Sequence, residues 1–574
     1  MFQDECMNCM TVIVGKGISD TGRVLVAHNE DDPEHVIVRR AIVPVAEHAV
    51  DETVPAEQGL ARIPQAAKTL RYYWVEYVKD RGGLTSADAF LNEKGVVITS
   101  NSMGWSKEDS DDPSVVKDGG IGYALRRILA ERAESARDAA RILMELMDEW
   151  GYAPSGRAYT IADKDEAFMF QLVRGHHYVG ARVPDDAVAV MPNHYTFHTL
   201  HDCPEMFYSQ DIVTYAIKKG WYEPKTEDYS DFDFAEVYQD ERTWKNAGNM
   251  FRQKHGQRIV LNRDWDIEKE GTPFVVYPAE PIGLKTLSRV MRCHYEGTPD
   301  DIDQYGPGRS PHYVPTMRRI CTGTTLESDL WDLTDQAENT CVYTAIGRPC
   351  QVPYLPLHPL LGVPECLLSG EDGAEMMRTH LQPHPGVTAV KDDLNTRLRR
   401  LCGVQEMLHS DVAEKTGVVL DGILEKAFAE NAHAQDQPAR AKELDEAFLN
   451  STLEEMEKLS AEFNVVPVDC VRDIVLPNCG SITVTFTLPA VPVEAELRFG
   501  LEFTHTINAF ASAREGSLRS VGKDTYQAEF EFEKILPLLT DSGRHTFWLG
   551  GRTEAGAAFA GCADIDVAVT AKTE

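Results

Sequence analysis

The chain has 574 residues and a formal net charge of −34, from 57 lysine and arginine against 91 aspartate and glutamate residues. At roughly 150 residues per domain, this length predicts between two and four domains. The acidic balance disfavours partners such as nucleic acid or an anionic membrane. An apolar content of 43% is typical of a globular protein with a substantial core and excludes a largely disordered chain.

The N-terminus has neither the basic start nor the apolar run of a secretory signal. No window approaches the roughly 20 apolar residues that span a bilayer. The cysteines are mostly scattered singly, unlike a disulfide framework, and most are interpreted as buried thiols. We therefore expect a cytoplasmic protein without a membrane segment.

Two short β-type runs, 11–14 and 24–27, open the chain. The residues between them, 15–22, are rich in glycine and other turn formers. This pattern predicts an antiparallel hairpin almost at the N-terminus. A third strand is predicted at 95–100.

A long amphipathic helix is predicted at about 121–150, since apolar residues recur along one face until Gly151. Further strands are predicted at 158–162, 167–173, 177–183 and 187–191. Strands, then a helix, then strands again indicate an α+β layered fold. The pattern is helical over 403–464. From about 481, apolar and polar residues alternate as in a half-buried strand, which predicts a small all-β domain at the C-terminal end.

Chemistry concentrates at the hairpin, because Cys9 lies just before its first strand and residues 28–31 (His-Asn-Glu-Asp) just after its second. These two ends are neighbours in an antiparallel pair. A thiol becomes a strong nucleophile when a base removes its proton. If cleavage freed the backbone nitrogen of Cys9, its α-amino group would be an internal base with a pKa of roughly 7.7–8. Asp31 is positioned to hold that ammonium or the thiol.

Several segments, in order, resemble the dipeptidases of peptidase family C69, which are N-terminal-nucleophile hydrolases related to penicillin V acylase and bile salt hydrolase. The resemblance covers roughly residues 9–400 and rests on Cys-Met-Thr-Val-Ile-Val-Gly-Lys at 9–16, Ala-His-Asn-Glu-Asp at 27–31, Asn-Glu-Lys-Gly-Val at 92–96, Glu-Arg-Ala at 131–133 with Trp-Gly-Tyr at 150–152, Ala-Arg-Val-Pro-Asp-Asp at 181–186 with Asn193, and Arg-Cys-His-Tyr-Glu-Gly-Thr-Pro at 292–299.

The resemblance implies a four-layer αββα sandwich and hydrolysis of dipeptides through a thioester acyl-enzyme. By position, Cys9 corresponds to the nucleophile and Asp31 to the carboxylate that orients it. No cofactor and no metal is implied. The implied partner is a small peptide substrate, and a homo-oligomer is possible.

The resemblance also assigns residues around the nucleophile. Asn101 corresponds to an oxyanion-hole asparagine, and Asn193 to the asparagine that contacts the nucleophile's amino group or the oxyanion. Arg252 is the candidate, by approximate spacing, for an arginine that completes the site. His28 stands where the family typically has arginine, so it is expected to contact substrate as a hydrogen-bond donor.

These expectations divide the chain into a propeptide at 1–8, a hydrolase domain at 9–402, a helical segment at 403–464 and a small β-sandwich-like domain at 465–574. The expected function is that of a cysteine-type dipeptidase. One alternative is an acylase that cuts a non-peptide amide, of the penicillin V acylase or bile salt hydrolase type. The other is a secernin-like protein that keeps the fold for interaction without hydrolysis.

Less specific interpretations compete for the same residues. Cys6 and Cys9 form a Cys-x-x-Cys motif that could be a redox pair or half of a zinc site. A zinc site of this kind requires a second such pair, and the sequence has none. Cys6 itself could be the nucleophile, although the first strand is phased to Cys9. The spacing of His28, Glu30, Asp31 and His35 does not favour metal ligation.

Overall fold

The computed structural model describes residues 9–569 apart from 33–35, 55–56, 58, 80–82, 109–110, 242, 244–245, 302–309, 313–317, 369–371, 385–393, 435–436, 472, 477–479, 502–509, 536–538 and 540–542. The expected propeptide at 1–8, with Cys6, and the position of His35 lie outside the described residues.

The first two-thirds of the chain alternates strands and helices. Its strands are β1 Met10–Val14, β2 Leu25–Asp31, β3 Val36–Val43, β4 Ala46–Glu47, β5 Lys68–Thr69, β6 Tyr72–Lys79, β7 Gly83–Leu84, β8 Ser86–Asn92, β9 Val97–Ser102, β10 Tyr152–Ala162, β11 Ala167–Gly175, β12 Tyr178–Arg182, β13 Val188–Met191, β14 Met206–Tyr208, β15 Val275–Val276, β16 Thr325–Asp332, β17 Cys341–Ile346, β18 Leu355–Leu357 and β19 Pro383–His384. Its helices are α1 Leu125–Arg132, α2 Ala136–Trp150, α3 Ile212–Lys219, α4 Phe234–Tyr238, α5 Ala247–Leu261, α6 Ile267–Glu270, α7 Leu284–Met291 and α8 Gly373–Thr379.

The predicted hairpin is confirmed. Strands β1 and β2 pair antiparallel in a register that places Met10 opposite Asn29 and Thr11 opposite His28. The second strand is longer than predicted, because it continues to Asp31. The polar residues 28–31 are therefore strand residues on a sheet rather than residues of the loop after it.

Two large antiparallel sheets carry most of the core. One has the strand order β15-β13-β1-β2-β16-β17-β18, and the other has the order β14-β12-β11-β10-β9-β8-β6-β3. One apolar cluster combines side chains of both sheets, among them Val12 and Val26 from the first and Val97 and Met169 from the second. Because each fully buried aliphatic side chain stabilises the fold by about 1.5–3 kcal/mol, this shared core holds the sheets together.

Helices cover the outer faces of both sheets. Helices α1 and α2 contribute Leu129 and Leu143 to a second apolar cluster with strands of the eight-stranded sheet. On the seven-stranded sheet, α5 contacts β13 and α7 contacts β2 and β16. Strand β1, which directly follows Cys9, thus lies in a sheet with β2 on one side and β13 on the other.

The sequence predicts one helix at 121–150, and the structure has two. Helix α1 ends at Arg132, and Ser135 adopts an extended conformation whose side chain accepts a hydrogen bond from the backbone N–H of Asp138. A serine in this position caps the start of a new helix. The apolar periodicity continues across the break, so periodicity alone does not reveal it.

The rest of the chain begins with two long helices, α9 Leu394–Ala434 and α10 Pro438–Ala461. Because α9 starts at Leu394, the boundary that the sequence suggested after residue 402, between the hydrolase domain and the helical segment, lies inside a continuous helix. The strands that follow are β20 Val468–Cys470, β21 Asp473–Leu476, β22 Ser481–Thr487, β23 Arg498–Leu501, β24 Phe510–Ser512, β25 Arg519–Gly522, β26 Thr525–Glu531, β27 Gly543–Arg552 and β28 Ala558–Val569.

These last strands form two sheets, β20-β22-β26-β25 and β21-β28-β27-β23-β24. They share an apolar cluster of their own, which includes Phe486, Phe499 and Phe547. Strand β22 alternates exposed and buried residues as its sequence predicts. Within the described residues, no helix combines the length and apolarity needed to cross a bilayer.

Candidate active site

Cys9 directly precedes β1 and is buried near the side chains of Glu30 and Asp31. Its Sγ donates a hydrogen bond to Glu30 Oε2 at 3.6 Å. Burial, together with the negative charges of Glu30 and Asp31, raises the pKa of the Cys9 thiol well above its usual range, although the backbone N–H of Asp31 opposes the shift. The thiol is therefore protonated in this environment, and a base or a nearby cation is needed to activate it.

His28 links the surroundings of Cys9 to the second large sheet. Its Nε2 lies 3.1 Å from Glu30 Oε2, and its Nδ1 lies 2.8 Å from Thr11 Oγ1. The Thr11 hydroxyl donates to Asn101 Oδ1 at 2.6 Å. Because that bond uses the only hydroxyl proton of Thr11, His28 Nδ1 must donate to Thr11, and Nε2 then donates to the Glu30 carboxylate.

An imidazole that donates from both nitrogens is positively charged. Burial alone would lower the His28 pKa, but the hydrogen bond to Glu30 and the charges of Asp88 and Glu30 raise it above its usual value. The His28, Glu30 and Asp88 side chains converge closely enough to hold a cation. A protonated His28 already supplies the positive charge there, and Asp88 also pairs with Arg126.

Asp31 is held by a row of threonine hydroxyls. Its Oδ1 accepts from Thr322 Oγ1 at 2.6 Å, Thr325 Oγ1 at 2.8 Å and Thr324 Oγ1 at 3.3 Å. Burial raises the Asp31 pKa, and the threonine hydroxyls and Arg252 oppose that shift. Its other oxygen, Oδ2, is buried with no hydrogen-bond partner among the described residues.

Arg252, on α5, is fully buried and reaches the backbone of Cys9. Its guanidinium donates to the Cys9 carbonyl oxygen at 3.0 Å and to Asn193 Oδ1 at 2.8 Å. It also donates to the side chain of Asn249. Burial lowers the pKa of Arg252 to about 10, so it is a cation at neutral pH.

Both predicted asparagines are engaged inside the protein. Asn101 Nδ2 donates to the carbonyl oxygens of Met191 at 3.2 Å and Pro192 at 3.4 Å. Asn193 Nδ2 donates to the Ser102 carbonyl oxygen at 2.6 Å. The hydrogen bonds that Asn101 Nδ2 donates are longer than the one that Asn193 Nδ2 donates. Replacing them with a bond to another acceptor therefore costs less free energy at Asn101 than at Asn193.

The structure brings all the predicted residues together around Cys9. Asp31 and Arg252 interact with Cys9 directly, and Asn193 is connected to it through Arg252. His28 is connected to Cys9 through Glu30, and Asn101 is connected to His28 through Thr11. Sequence reasoning gave no role to Glu30 or Thr11. The alternation of a strand was a usable signal for both, since Thr11 faces His28 and Glu30 is two residues further along the same face.

Arg157, on β10, was also missed. Its guanidinium donates to Ser100 Oγ and Ser102 Oγ, each at 3.0 Å, and lies 4.7 Å from the ring centre of Tyr123. Its charge acts on both Cys9 and Glu30. Arg157 is half-buried, so this cation near Cys9 is partly open to solvent. Nothing in its local sequence distinguishes it from a solvated arginine.

Comparison with known proteins gives the class. The model of peptidase family C69 matches residues 8–379, and the chain therefore belongs to that family. The predicted membership is confirmed, and it makes the chain a hydrolase of the peptidase class.

Curated relatives share this class. The chain is 26% identical over 362 residues to the probable dipeptidase of Salmonella dublin, covering 61% of this chain and 80% of that protein. It is 23% identical over 361 residues to the probable dipeptidase of Latilactobacillus sakei, covering 61% and 74%. Dipeptidase A of Lactobacillus helveticus is 25% identical over 340 residues, covering 56% and 68%.

Among solved structures, two of conjugated bile acid hydrolase from Clostridium perfringens are similar to this chain. They have TM-scores of 0.26 and 0.24 and are 10% and 11% identical. Each match covers 59% of this chain and 89% of the other. Values this low do not establish a shared fold.

Proposed function

We propose that the protein is a cysteine-type dipeptidase whose nucleophile, Cys9, becomes the N-terminal residue when residues 1–8 are removed. Membership of a peptidase family and relatives named dipeptidases support the reaction class. The observation that carries the proposal for the nucleophile is the buried Oδ2 of Asp31 beside Cys9, an oxygen that no described residue hydrogen-bonds.

A buried carboxylate oxygen without a partner destabilises a folded protein, commonly by about 1–3 kcal/mol. A free α-ammonium on Cys9 would donate to Asp31 Oδ2 and remove that cost. The ammonium would also add a second positive charge near the sulfur, beside that of Arg157, and such a charge favours the thiolate. Removal of residues 1–8 would thus supply both a hydrogen-bond donor for Asp31 Oδ2 and a positive charge for the Cys9 thiolate.

The reaction follows from these positions. The neutral α-amine of Cys9 takes the thiol proton, directly or through a water molecule, and the thiolate attacks the peptide carbonyl carbon. The resulting ammonium returns the proton to the departing amine as the carbon–nitrogen bond breaks. Water, deprotonated by the same amine, then cleaves the thioester and releases the second product.

The negative charge that develops on the carbonyl oxygen needs donors already in place. We assign this role to Asn101 Nδ2, whose present bonds to backbone carbonyls are long. Asn193 and Arg252 act instead as positioning residues, since the arginine holds the Cys9 carbonyl and is itself fixed by the asparagine.

Recognition of a dipeptide requires groups that bind its charged ends. Arg157 is a cation near Cys9 with two Nη groups held by serine hydroxyls. Arginine binds a carboxylate through paired hydrogen bonds, so we propose that Arg157 receives the substrate's α-carboxylate. His28, as an imidazolium, replaces the arginine typical of the family and holds Glu30 beside the thiol.

The packing supports an αββα sandwich for this part of the chain. Two antiparallel sheets share a core, and helices contact each of them. The domain limits proposed from the sequence are retained as proposals, with residues 465–574 as a small β-sandwich-like unit.

The function is tested by measuring hydrolysis of a plain dipeptide and of an N-acyl amide by the processed protein and its Cys9→Ala variant. Preferential turnover of the dipeptide that is lost with the thiol supports the proposal. Preferential turnover of the N-acyl amide would make the protein an acylase instead. Absence of either activity in a correctly processed chain would favour a non-hydrolytic role.

A further inference from the structure

Away from Cys9, two histidines and two cysteines point their donor atoms at one another. They are His294 after α7, His312 in the following loop, Cys321 before β16 and Cys350 after β17. One ligand atom from each lies within 4.8 Å of all the others. Three of the four side chains are buried, and Cys350 is half-buried.

The separations lie within about 0.4 Å of those around a tetrahedral metal ion. His294 Nε2 and His312 Nε2 are 3.0 Å apart, and His312 Nε2 lies 3.2 Å from Cys350 Sγ and 3.7 Å from Cys321 Sγ. The two sulfurs are 3.6 Å apart. With Zn–N of about 2.0–2.1 Å and Zn–S of about 2.3 Å, a regular tetrahedron separates its ligands by about 3.4 to 3.8 Å.

The imidazoles are oriented as metal ligands are. His294 Nδ1 donates to Glu296 Oε1 at 2.8 Å, and His312 Nδ1 donates to Glu406 Oε2 at 2.7 Å. A carboxylate on Nδ1 fixes the tautomer with its lone pair on Nε2, and this arrangement is common behind metal-bound histidine. Two Nε2 lone pairs at 3.0 Å repel each other unless a cation or a proton lies between them.

We propose that His294, His312, Cys321 and Cys350 bind one zinc ion. Protein side chains fill all four positions, so the site is closed and structural rather than catalytic. In the bound state both sulfurs are thiolates, whose two negative charges balance that of Zn²⁺. The thiolates and imidazoles of this set favour zinc over the hard cations Mg²⁺ and Ca²⁺.

The site would fasten the segment that shapes the nucleophile's surroundings. Cys321 directly precedes Thr322, which, with Thr324 and Thr325, donates to Asp31. The neighbouring Ile320 carbonyl oxygen accepts from the Asn29 side chain. Zinc would thus tie this segment to the chain after α7 and β17, while Glu406 adds a link to α9. The inference does not depend on the proposed function.

The test is the metal content of the full-length protein, purified under reducing conditions without chelator and measured by mass spectrometry of elements. We expect one zinc ion per chain in the wild type and in the control Cys366→Ser, whose cysteine is exposed. In the Cys321→Ser/Cys350→Ser double variant, zinc should fall below about a tenth of an equivalent.

A second measurement does not require the variant to fold. Wild-type protein stripped of metal and supplied with Co²⁺ should show the absorption of tetrahedral cobalt–thiolate coordination, and metal removal should speed amide exchange around residues 320–325. A wild-type chain that takes up neither Zn²⁺ nor Co²⁺ would overturn the proposal. So would a Cys321–Cys350 disulfide in the protein purified under reducing conditions.

Discussion

Arg252 donates a hydrogen bond to the carbonyl oxygen of Cys9 at 3.0 Å, so a buried cation on α5 holds the main chain of the proposed nucleophile. The same guanidinium binds Asn193 Oδ1. The position of the thiol therefore depends on a residue that binds the main chain of Cys9.

Arg252→Lys should lower kcat by about 10- to 100-fold, since an ammonium cannot bind the Cys9 carbonyl and Asn193 in the same geometry. Steady-state kinetics on a dipeptide measure the effect. Arg263→Lys is the matched control, because Arg263 is exposed, and its guanidinium pairs with Glu270, donates to the Asp264 carbonyl oxygen and lies over the Trp265 ring. Equal activity of both variants would remove the positioning role from Arg252.

Thr325→Val should shift the acidic limb of the pH–rate profile to higher pH. The Thr325 hydroxyl donates to Asp31 at 2.8 Å and stabilises its charged form, so its loss raises the Asp31 pKa further. Activity, which needs the carboxylate, falls as pH drops through that pKa. Thr325→Ser keeps the hydroxyl and should keep the wild-type pH–rate profile. If the acidic limb of Thr325→Val did not move, the activity would not depend on the charge of Asp31.

The activity of the wild-type enzyme should fall at alkaline pH as His28 loses its charge, and the His28→Arg substitution should remove this fall. The His28 pKa is raised above the ordinary value of about 6.5, so the imidazolium is fully present below that pH and is lost as pH rises through the raised pKa. His28→Gln should be impaired at every pH, whereas His28→Arg should remain active at alkaline pH. Identical alkaline limbs in the wild type and His28→Arg would contradict the assigned charge.

Arg157→Ala should raise KM for a dipeptide by about tenfold or more, because a charge-assisted hydrogen bond to the substrate carboxylate is lost. The same variant should discriminate less against a dipeptide amide, which lacks that carboxylate. Arg174→Ala is a suitable control on the neighbouring strand β11, since its guanidinium binds backbone carbonyl oxygens of residues 112 and 153. A pure loss of kcat with unchanged KM would exclude this role.

Sequence patterns predicted the hairpin and brought Cys9 and Asp31 together, because turn residues and short apolar runs act locally. They did not reveal the break before Ser135, where periodicity continues across a cap. Glu30 was adjacent to predicted residues, but its contact with the thiol depends on pairing register.

The longer-range features could not be read from the chain. Arg157 reaches the site only because β10 lies beside β9 in the second sheet. Successive ligands of the proposed zinc site are 18, 9 and 29 positions apart and lack the paired spacing of familiar zinc motifs. Only the fold brings His294 and Cys350 together.

The most direct test is the intact mass of the purified wild-type protein and of Cys9→Ala, with dipeptide hydrolysis measured on the same samples. The account predicts a wild-type chain that begins at Cys9 and is active, and a variant whose kcat is reduced by about 10⁴-fold or more. A fully active wild-type protein that still carries residues 1–8, or a Cys9→Ala variant with the parental rate, would contradict it.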